Sequence, residues 1–437
     1  MKTLYTAFSC LLASLFFFSC TDKLTEELRI NIPIYMDYET LRSSVQSAAS
    51  RELTNPGKIY FKGNYLMVVE YLKGVHVIDV SNPANPQNKV FVEIPGCADI
   101  AVKDNTLYAD SYIDLVTIDI SDMMNPRETG RIENVFSYMI PAVADEKLPV
   151  ANIEQENGVV IGWEIRREKR DLELVNPVNI PVYPEYDYVD KIGSGNYYTG
   201  GGQSGSGTDA SAFGKGGSMA RFGLYDRYLY VASTYTLYLF DVQNAAKPVK
   251  AGAVGLNGTV ETLFIYDDHL FFGTQSGMLV YSLDVPSLPV YLSNFWHVTS
   301  CDPVVIQDDY AFITLRGGTT CNNSNVNRLD VVKLSADYKQ YELVNSYNMT
   351  EPYGLGIDGN TLFVCDGRDG LKIYDATDKK TITDHPLAAF PEIHAYDLIP
   401  TGEYLFMIGS DGFYLYNYTD IKNIRQIGYI PVVVQAK

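Results

Sequence analysis

A unit of about 41 residues recurs along this chain, and no other feature restricts its fold so strongly. Aligned on a polar turn pair, the unit reads KGNYLMV from Lys62, KDNTLYA from Lys103, YDRYLYV from Tyr225, YDDHLFF from Tyr266, QDDYAFI from Gln307, DGNTLFV from Asp358 and TGEYLFM from Thr401. The start-to-start spacings are 41, 122, 41, 41, 51 and 43 residues. In each copy a short apolar strand, such as DIAVKD, runs into a tight turn of Asp, Gly or Asn, residues that tolerate the backbone angles such a turn needs. A second strand follows (TLYAD), then a loop, a third strand (LVTIDIS), a turn often carrying proline (Pro86, Pro126, Pro248, Pro289) and a fourth strand (PVKAGAV). Four short antiparallel strands per roughly 40 residues is the pattern of a β-propeller blade. One blade cannot bury both of its faces, so the copies must stack in a ring. The expected fold is all-β, a seven-bladed β-propeller of four-stranded antiparallel blades.

The spacing of 122 residues marks an insertion. The expected organisation is blades one and two at 56–136, an insertion at 137–217 and blades three to seven at 218–437. An eighth blade inside the insertion stays open, since 122 is close to three periods, although no turn pair and proline recur there in order. The insertion has one strand-like run, NGVVIGWEIRRE, and ends in the tract GSGNYYTGGGQSGSG. Residues 193–217 are expected to be mobile and dispensable for folding, because Gly and Ser cannot repay the entropy of being ordered. Residues 20–55 read as a polar leader, with a strand over Arg29 to Tyr38 expected to add to an outer edge and help close the ring.

The third-strand segments VHVIDVS, LVTIDIS and LYLFDVQ resemble the LVIVD-repeat family of bacterial β-propellers, and the likeness fades in LKIYDAT and LYLYNYT. The stretch IPIYMDYETLRSSV from Ile32 resembles the segment after the lipidated cysteine in Bacteroidetes lipoproteins of that family. The resemblance implies a fold and a place in the cell envelope, and it implies no activity. The opening MKTLYTAFSCLLASLFFFSC has a short basic start and an apolar run too short for a comfortable bilayer span, so residues 1–19 read as a signal peptide. Ser19-Cys20 resembles a lipobox, which implies lipidation at Cys20 and tethering to the bacterial outer membrane. An ordinary signal peptide with a chance cysteine is the alternative, and the side of the membrane that the chain faces is open.

A net charge of −19 argues against nucleic acid as a partner, since phosphate binding wants a basic face. The 34 tyrosines suit strands, and they also suit surfaces that stack on sugars or peptides. Catalytic and metal signatures are thin. The five histidines form no H-E-x-x-H and the cysteines no C-x-x-C, so neither a metal nor a cofactor is expected. Gly200 to Gly205 matches G-x-G-x-x-G only inside a Gly/Ser tract. Gly216-Gly217-Ser218-Met219-Ala220 faintly resembles a nucleophile elbow without the α/β sheet such an elbow needs. DGRDG from Asp366 reads either as a calcium-ligating loop or as a tight turn between strands.

Function is expected where loops grow. In a blade, the loops between strands two and three, and those between blades, share one face. The insertion and the enlarged loop RGGTTCNNSNVN from Arg316 both belong to it. The candidate ligand-binding residues on that face are Asp99, Tyr112, Asp114, Glu261, Asp302, Arg316, Tyr353, Arg368, Asp369 and His394; a solvated channel mouth is the bland alternative. Cys301 and Cys321 flank antiparallel neighbours in the fifth copy and are expected to form a disulfide. The expected role is a non-catalytic binding or scaffolding module for a protein or glycan ligand. The alternatives are a glycan-binding component of polysaccharide uptake, or a lyase or hydrolase using acids and His394 at the channel mouth.

Overall fold

The computed structural model describes residues 28–168, 174–175, 215–296, 303–317 and 326–433. Seven sheets, each with four consecutive antiparallel strands at its centre, occupy residues 56–93, 100–132, 222–255, 260–296, 304–348, 355–390 and 395–431. They are numbered here one to seven. The first strand of each sheet lies beside the first strand of the next, and Pro56–Lys62 lies beside both Ile100–Lys103 and Ala395–Pro400, so the order of neighbours returns to its start. Apolar side chains fill the spaces between sheets: Val77, Val92 and Tyr108 share one core cluster with Leu229 and Phe240, and Ile59 and Val68 share another with Phe406 and Leu415. This is the all-β propeller architecture expected from the repeat.

Each conserved-looking position of the repeat has a structural task. The first turn residue has a left-handed φ in all seven sheets, at Gly63, Asp104, Asp226, Asp267, Asp308, Gly359 and Gly402. Only Gly, Asp and Asn enter that region cheaply, which explains the composition of the turn. The N–H that follows the last residue of strand three then donates to the carbonyl of the second turn residue. Val80 to Asn64, Ile120 to Asn105, Val242 to Arg227, Leu283 to Asp268, Leu334 to Asp309, Ala376 to Asn360 and Tyr418 to Glu403 all do so at 2.7–3.1 Å. The Asp that ends strand three caps the next turn: Asp79, Asp119, Asp241 and Asp375 accept from the N–H of Ser81, Ser121, Gln243 and Thr377 respectively, two residues on, at 2.9 Å. VHVIDVSNP and LVTIDISDMMNP are therefore instructions for turning a corner and tying it to the hairpin beside it.

Tyrosines tie sheets together. Tyr108 Oη donates to Ala245 O at 2.8 Å and Tyr230 Oη to Pro286 O at 2.7 Å, each reaching from one sheet to a turn of the next. Many of the tyrosines are thus used in packing, with Tyr108, Tyr230, Tyr281 and Tyr416 fully buried.

The leader departs from expectation. The strand Leu28–Met36 forms, but it adds to no outer edge. It pairs antiparallel with Val159–Glu168 and parallel with Val150–Ala151 in a separate sheet. The physical reason is Asn31, whose buried amide donates to Asp145 O at 2.9 Å and Leu148 O at 3.1 Å, so the strand is consumed in holding the insertion. The outer edge of sheet one is extended instead by Gln46–Ala49, paired with Gln87–Glu93. Leu53 then bridges Val432, and Val433 N donates to Leu53 O at 2.8 Å, joining the leader to the last sheet. The insertion's strands, not consecutive in their sheet, do not follow the grammar of the seven repeats. Among the described residues no helix is long and apolar enough to cross a membrane.

The insertion re-enters through the middle of the ring. Lys215–Gly216 pairs with Tyr60 and Phe61 on the innermost strand of sheet one, and Gly217 N donates to Ile59 O at 3.0 Å. A Cβ at Gly217 would lie 2.0 Å from Asp397 Oδ2, so only glycine passes there. The expectation for 193–217 is narrowed accordingly: 215–217 are packed into the fold, while 193–214 lie outside the described residues.

Candidate functional site at the loop-bearing face

Four of the expected residues meet on one side of the ring. Arg316 follows the second strand of sheet five, Tyr353 precedes sheet six, Arg368 sits between its second and third strands, and His394 precedes sheet seven. All four positions belong to the loop-bearing face. The Arg316 guanidinium carbon stands 4.1 Å from the centre of the Tyr353 ring, a cation–π contact. Both side chains are buried, and Thr314 Oγ1 fixes the backbone by donating to Tyr353 O at 2.6 Å. Tyr353 Oη donates to Glu351 Oε1 at 3.2 Å. Arg368 Nε and His394 Nε2 approach Glu351 Oε2 at 3.7 and 3.8 Å. The Tyr396 ring stands edge-on to Tyr353 at 5.0 Å, and its hydroxyl lies 3.4 Å from His394 Nδ1. Burial, with Tyr353 nearby, raises the Tyr396 phenol above its usual range, so it keeps its proton. Glu351 and Tyr396 were not among the sequence candidates. Glu351 sits in the loop between sheets five and six, as Asp99 sits in the loop between sheets one and two, and that shared placement was the available signal.

The other candidates do not join this group. Asp114 is buried and structural, accepting from Arg42 Nε and Arg131 Nη1 at 3.1 Å and from Asn134 N at 2.8 Å. Asp369 accepts from Thr350 Oγ1 at 2.5 Å and Lys372 Nζ at 3.0 Å. Glu261 is buried at the bulge between Val260 and Thr262. Asp99 is buried against Lys58 Nζ at 2.8 Å and also accepts from Arg221 N and from Phe222 N at 3.1 Å. Burial pushes Lys58 down to about 8, against the pull of Asp99. Tyr112 is buried beside Asp99 on the wall of a small cleft. Asp302, Cys20, Cys301 and Cys321 lie outside the described residues. Cys97 and Cys365 are buried free thiols, raised well above the usual thiol range by burial.

A second pattern escaped the sequence reading. The acidic residue at the end of strand two takes two consecutive N–H groups of the preceding inter-sheet loop. Glu70 accepts from Thr54 and Asn55, Asp110 from Ala98 and Asp99, and Asp366 from Thr350 and Glu351. Asp366 also accepts from Lys372 Nζ at 2.5 Å, so the first acid of DGRDG is engaged by donors of the chain around the turn. Among the described residues no three His, Cys, Asp or Glu side chains gather to hold a metal ion. The Ser218 motif is likewise structural: its hydroxyl donates to Asp397 Oδ1 at 3.0 Å and accepts from Leu355 N at 2.9 Å.

A family model described as the LVIVD repeat matches residues 57–93 and 96–134, so the chain carries LVIVD repeats in its first two sheets. No curated protein matches the sequence. Among solved structures, the periplasmic gluconolactonase PpgL of Pseudomonas aeruginosa is similar at 9% identity and a TM-score of 0.47, over 90% of this chain and 98% of that one. A Lactobacillus plantarum protein is similar at 12% identity and 0.45, over 79% and 87%. The computationally designed Ika8 protein is similar at 10% identity and 0.48, over 90% and 94%. Identities this low transfer no chemistry.

Proposed function

We propose that the protein is a seven-bladed β-propeller lipoprotein, anchored through Cys20 at the bacterial outer membrane, that serves as a non-catalytic binding or scaffolding module. Its ligand is best read as an anionic glycan held at the loop-bearing face. The supporting observation is that Arg368 and His394 approach one carboxylate, Glu351, while Arg316 stacks on the neighbouring Tyr353, on a chain of net charge −19. Arg316 and Arg368, beside the rings of Tyr353 and Tyr396, suit sugar carboxylates and the apolar faces of sugar rings. A disulfide between Cys301 and Cys321 would staple the enlarged loop beside Arg316 and is part of this reading. Calorimetric titration with an oligogalacturonate and with a neutral oligosaccharide of equal length tests it. Selective, saturable heat with the acidic sugar is expected; equal heats or none with both would contradict it.

One observation favours an enzyme as the second reading: His394 lies against both Tyr396 and Glu351, a base and an acid within reach of one substrate. A lyase acting on the same sugar would release an unsaturated product that absorbs in the ultraviolet. The binding reading expects no such absorbance to accumulate.

A further inference from the structure

A cleft of about 40 Å³ opens on the loop-bearing face between sheets two and three, apart from the Arg316 cluster. Asp99, Asp110, Tyr112 and Arg221 line it, with Phe136 just before the insertion and Met139 at the insertion's start. Phe136 is fixed by edge-on contacts to Tyr238 at 5.5 Å and Phe240 at 6.1 Å. The volume admits a small polar head group and excludes a sugar ring.

Asp110 belongs to the series Glu70, Asp110 and Asp366, and its environment differs from that of the other two in one respect. On strand three, the residue paired two positions before the end-of-strand acid is His76 in sheet one, Thr117 in sheet two and Lys372 in sheet six. His76 Nε2 lies 3.2 Å from Glu70 Oε2, and Lys73 Nζ lies 3.2 Å from Glu70 Oε1. Lys372 Nζ lies 2.5 Å from Asp366 Oδ2. Thr117 carries no charge, and its hydroxyl donates to Gly130 O at 3.1 Å. Asp110 therefore receives its two backbone N–H groups on Oδ1 and has no cation within ion-pair distance among the described residues. Desolvation lifts its carboxyl to about 6, whereas Glu70, against the same desolvation, is held at about 2 by bonds from His76 and Thr54. Across the cleft, the half-buried Arg221 presents the opposite charge. Its backbone N–H is bonded to Asp99, but its guanidinium makes no hydrogen bond or ion pair among the described residues.

We propose that this cleft binds a small zwitterion of the α-amino acid class, with the ligand's ammonium at Asp110 and its carboxylate at Arg221. The ammonium supplies the charge partner that His76 and Lys372 give the acids of the sister sheets. The carboxylate gives the guanidinium the paired acceptor that its planar donor set matches. Tyr112, Phe136 and Met139 exclude water from both contacts, and the ligand's side chain points to solvent, so discrimination among amino acids should be weak.

Thermal shift and calorimetry with glycine and L-alanine test this, with acetate and methylammonium as single-charge controls. Both amino acids are expected to raise the melting midpoint and bind saturably, and neither control should match them at equal concentration. Asp110→Asn keeps the Oδ1 acceptor and Arg221→Gln removes no bond, so both variants should fold. Each is expected to weaken amino-acid binding by at least about tenfold, the scale of losing one charged contact. No binding by the wild type would overturn the proposal, as would equal binding of acetate alone, or unchanged affinity in both variants. Loss of oligogalacturonate binding alone would fall on the Arg316 cluster and leave this cleft untouched.

Discussion

Ser218 Oγ donates a 3.0 Å hydrogen bond to Asp397 Oδ1, joining residues 179 apart in sequence at the centre of the ring. Ser218 N donates to the same oxygen at 3.0 Å, and Leu398 N does so at 2.9 Å. The insertion is thereby locked to sheet seven before the chain enters sheet three. Burial nevertheless raises the Asp397 carboxyl from its usual 3.8 to about 7.

Between those two values the folded chain holds a proton that the unfolded chain releases, so this group's contribution falls as pH rises from about 4 to about 7. Asp397→Asn keeps an acceptor and removes the titration. The wild-type melting midpoint should therefore decline relative to the variant across that window, measured by thermal denaturation at matched ionic strength. Parallel curves would contradict the assignment.

Glu70 works in the opposite sense. It lies buried beneath Thr54, Asn55, Lys73 and His76, and it is held at about 2 from a usual 4.5 despite desolvation. Its contribution is present above about 4.5 and is lost as pH falls toward 2. Glu70→Ala should cost about 3 kcal/mol in chemical denaturation, because it leaves buried donors without their acceptor. A cost near zero would show that the leader is not held by this residue.

Asp104 carries a φ of 52° in the first hairpin of sheet two. Asp104→Gly should change stability by less than about 0.5 kcal/mol, while Asp104→Val should cost about 1–2 kcal/mol, since a β-branched residue resists the left-handed region. Equal effects of the two changes would mean that the turn relaxes to another form.

Deletion of residues 193–214 should leave the melting midpoint nearly unchanged, whereas deletion of 193–217 should lower it by several degrees. The second removes the Lys215–Gly216 pairing and the Gly217 bond to Ile59. Lys215 is itself embedded, donating to Pro400 O at 2.5 Å and lowered to about 8 by burial. Equal midpoints would show that this re-entry adds nothing.

The repeat was legible because each of its positions acts locally. Gly63 and Asp104 turn a hairpin, Asp79 and Asp119 cap a corner, and the apolar residues between them alternate with the pleat. The candidate face was legible for the same reason, since strand order alone places Arg316, Tyr353, Arg368 and His394 on one side. The re-entry of Lys215 and Ser218 was not legible, because it depends on partners in sheets one and seven that no local pattern announces. The leader failed similarly: Leu28–Met36 reads as a strand, but its choice of partner rests on Asn31 and an insertion more than a hundred residues away. The special state of Asp110 appears only when three sheets are superposed by register, which exposes Thr117 where two sisters carry a cation.

Ligand binding at the mouth is tested most directly by the affinity of wild type and Arg316→Ala for an oligogalacturonate, measured side by side by calorimetry. Arg316 supplies the cation that stacks on Tyr353, 4.1 Å from the centre of its ring. Saturable binding by the wild type and a loss of at least about tenfold in the variant are expected, with circular dichroism of the variant showing the native fold. Absence of binding by the wild type, or an affinity that the substitution leaves intact, would contradict it.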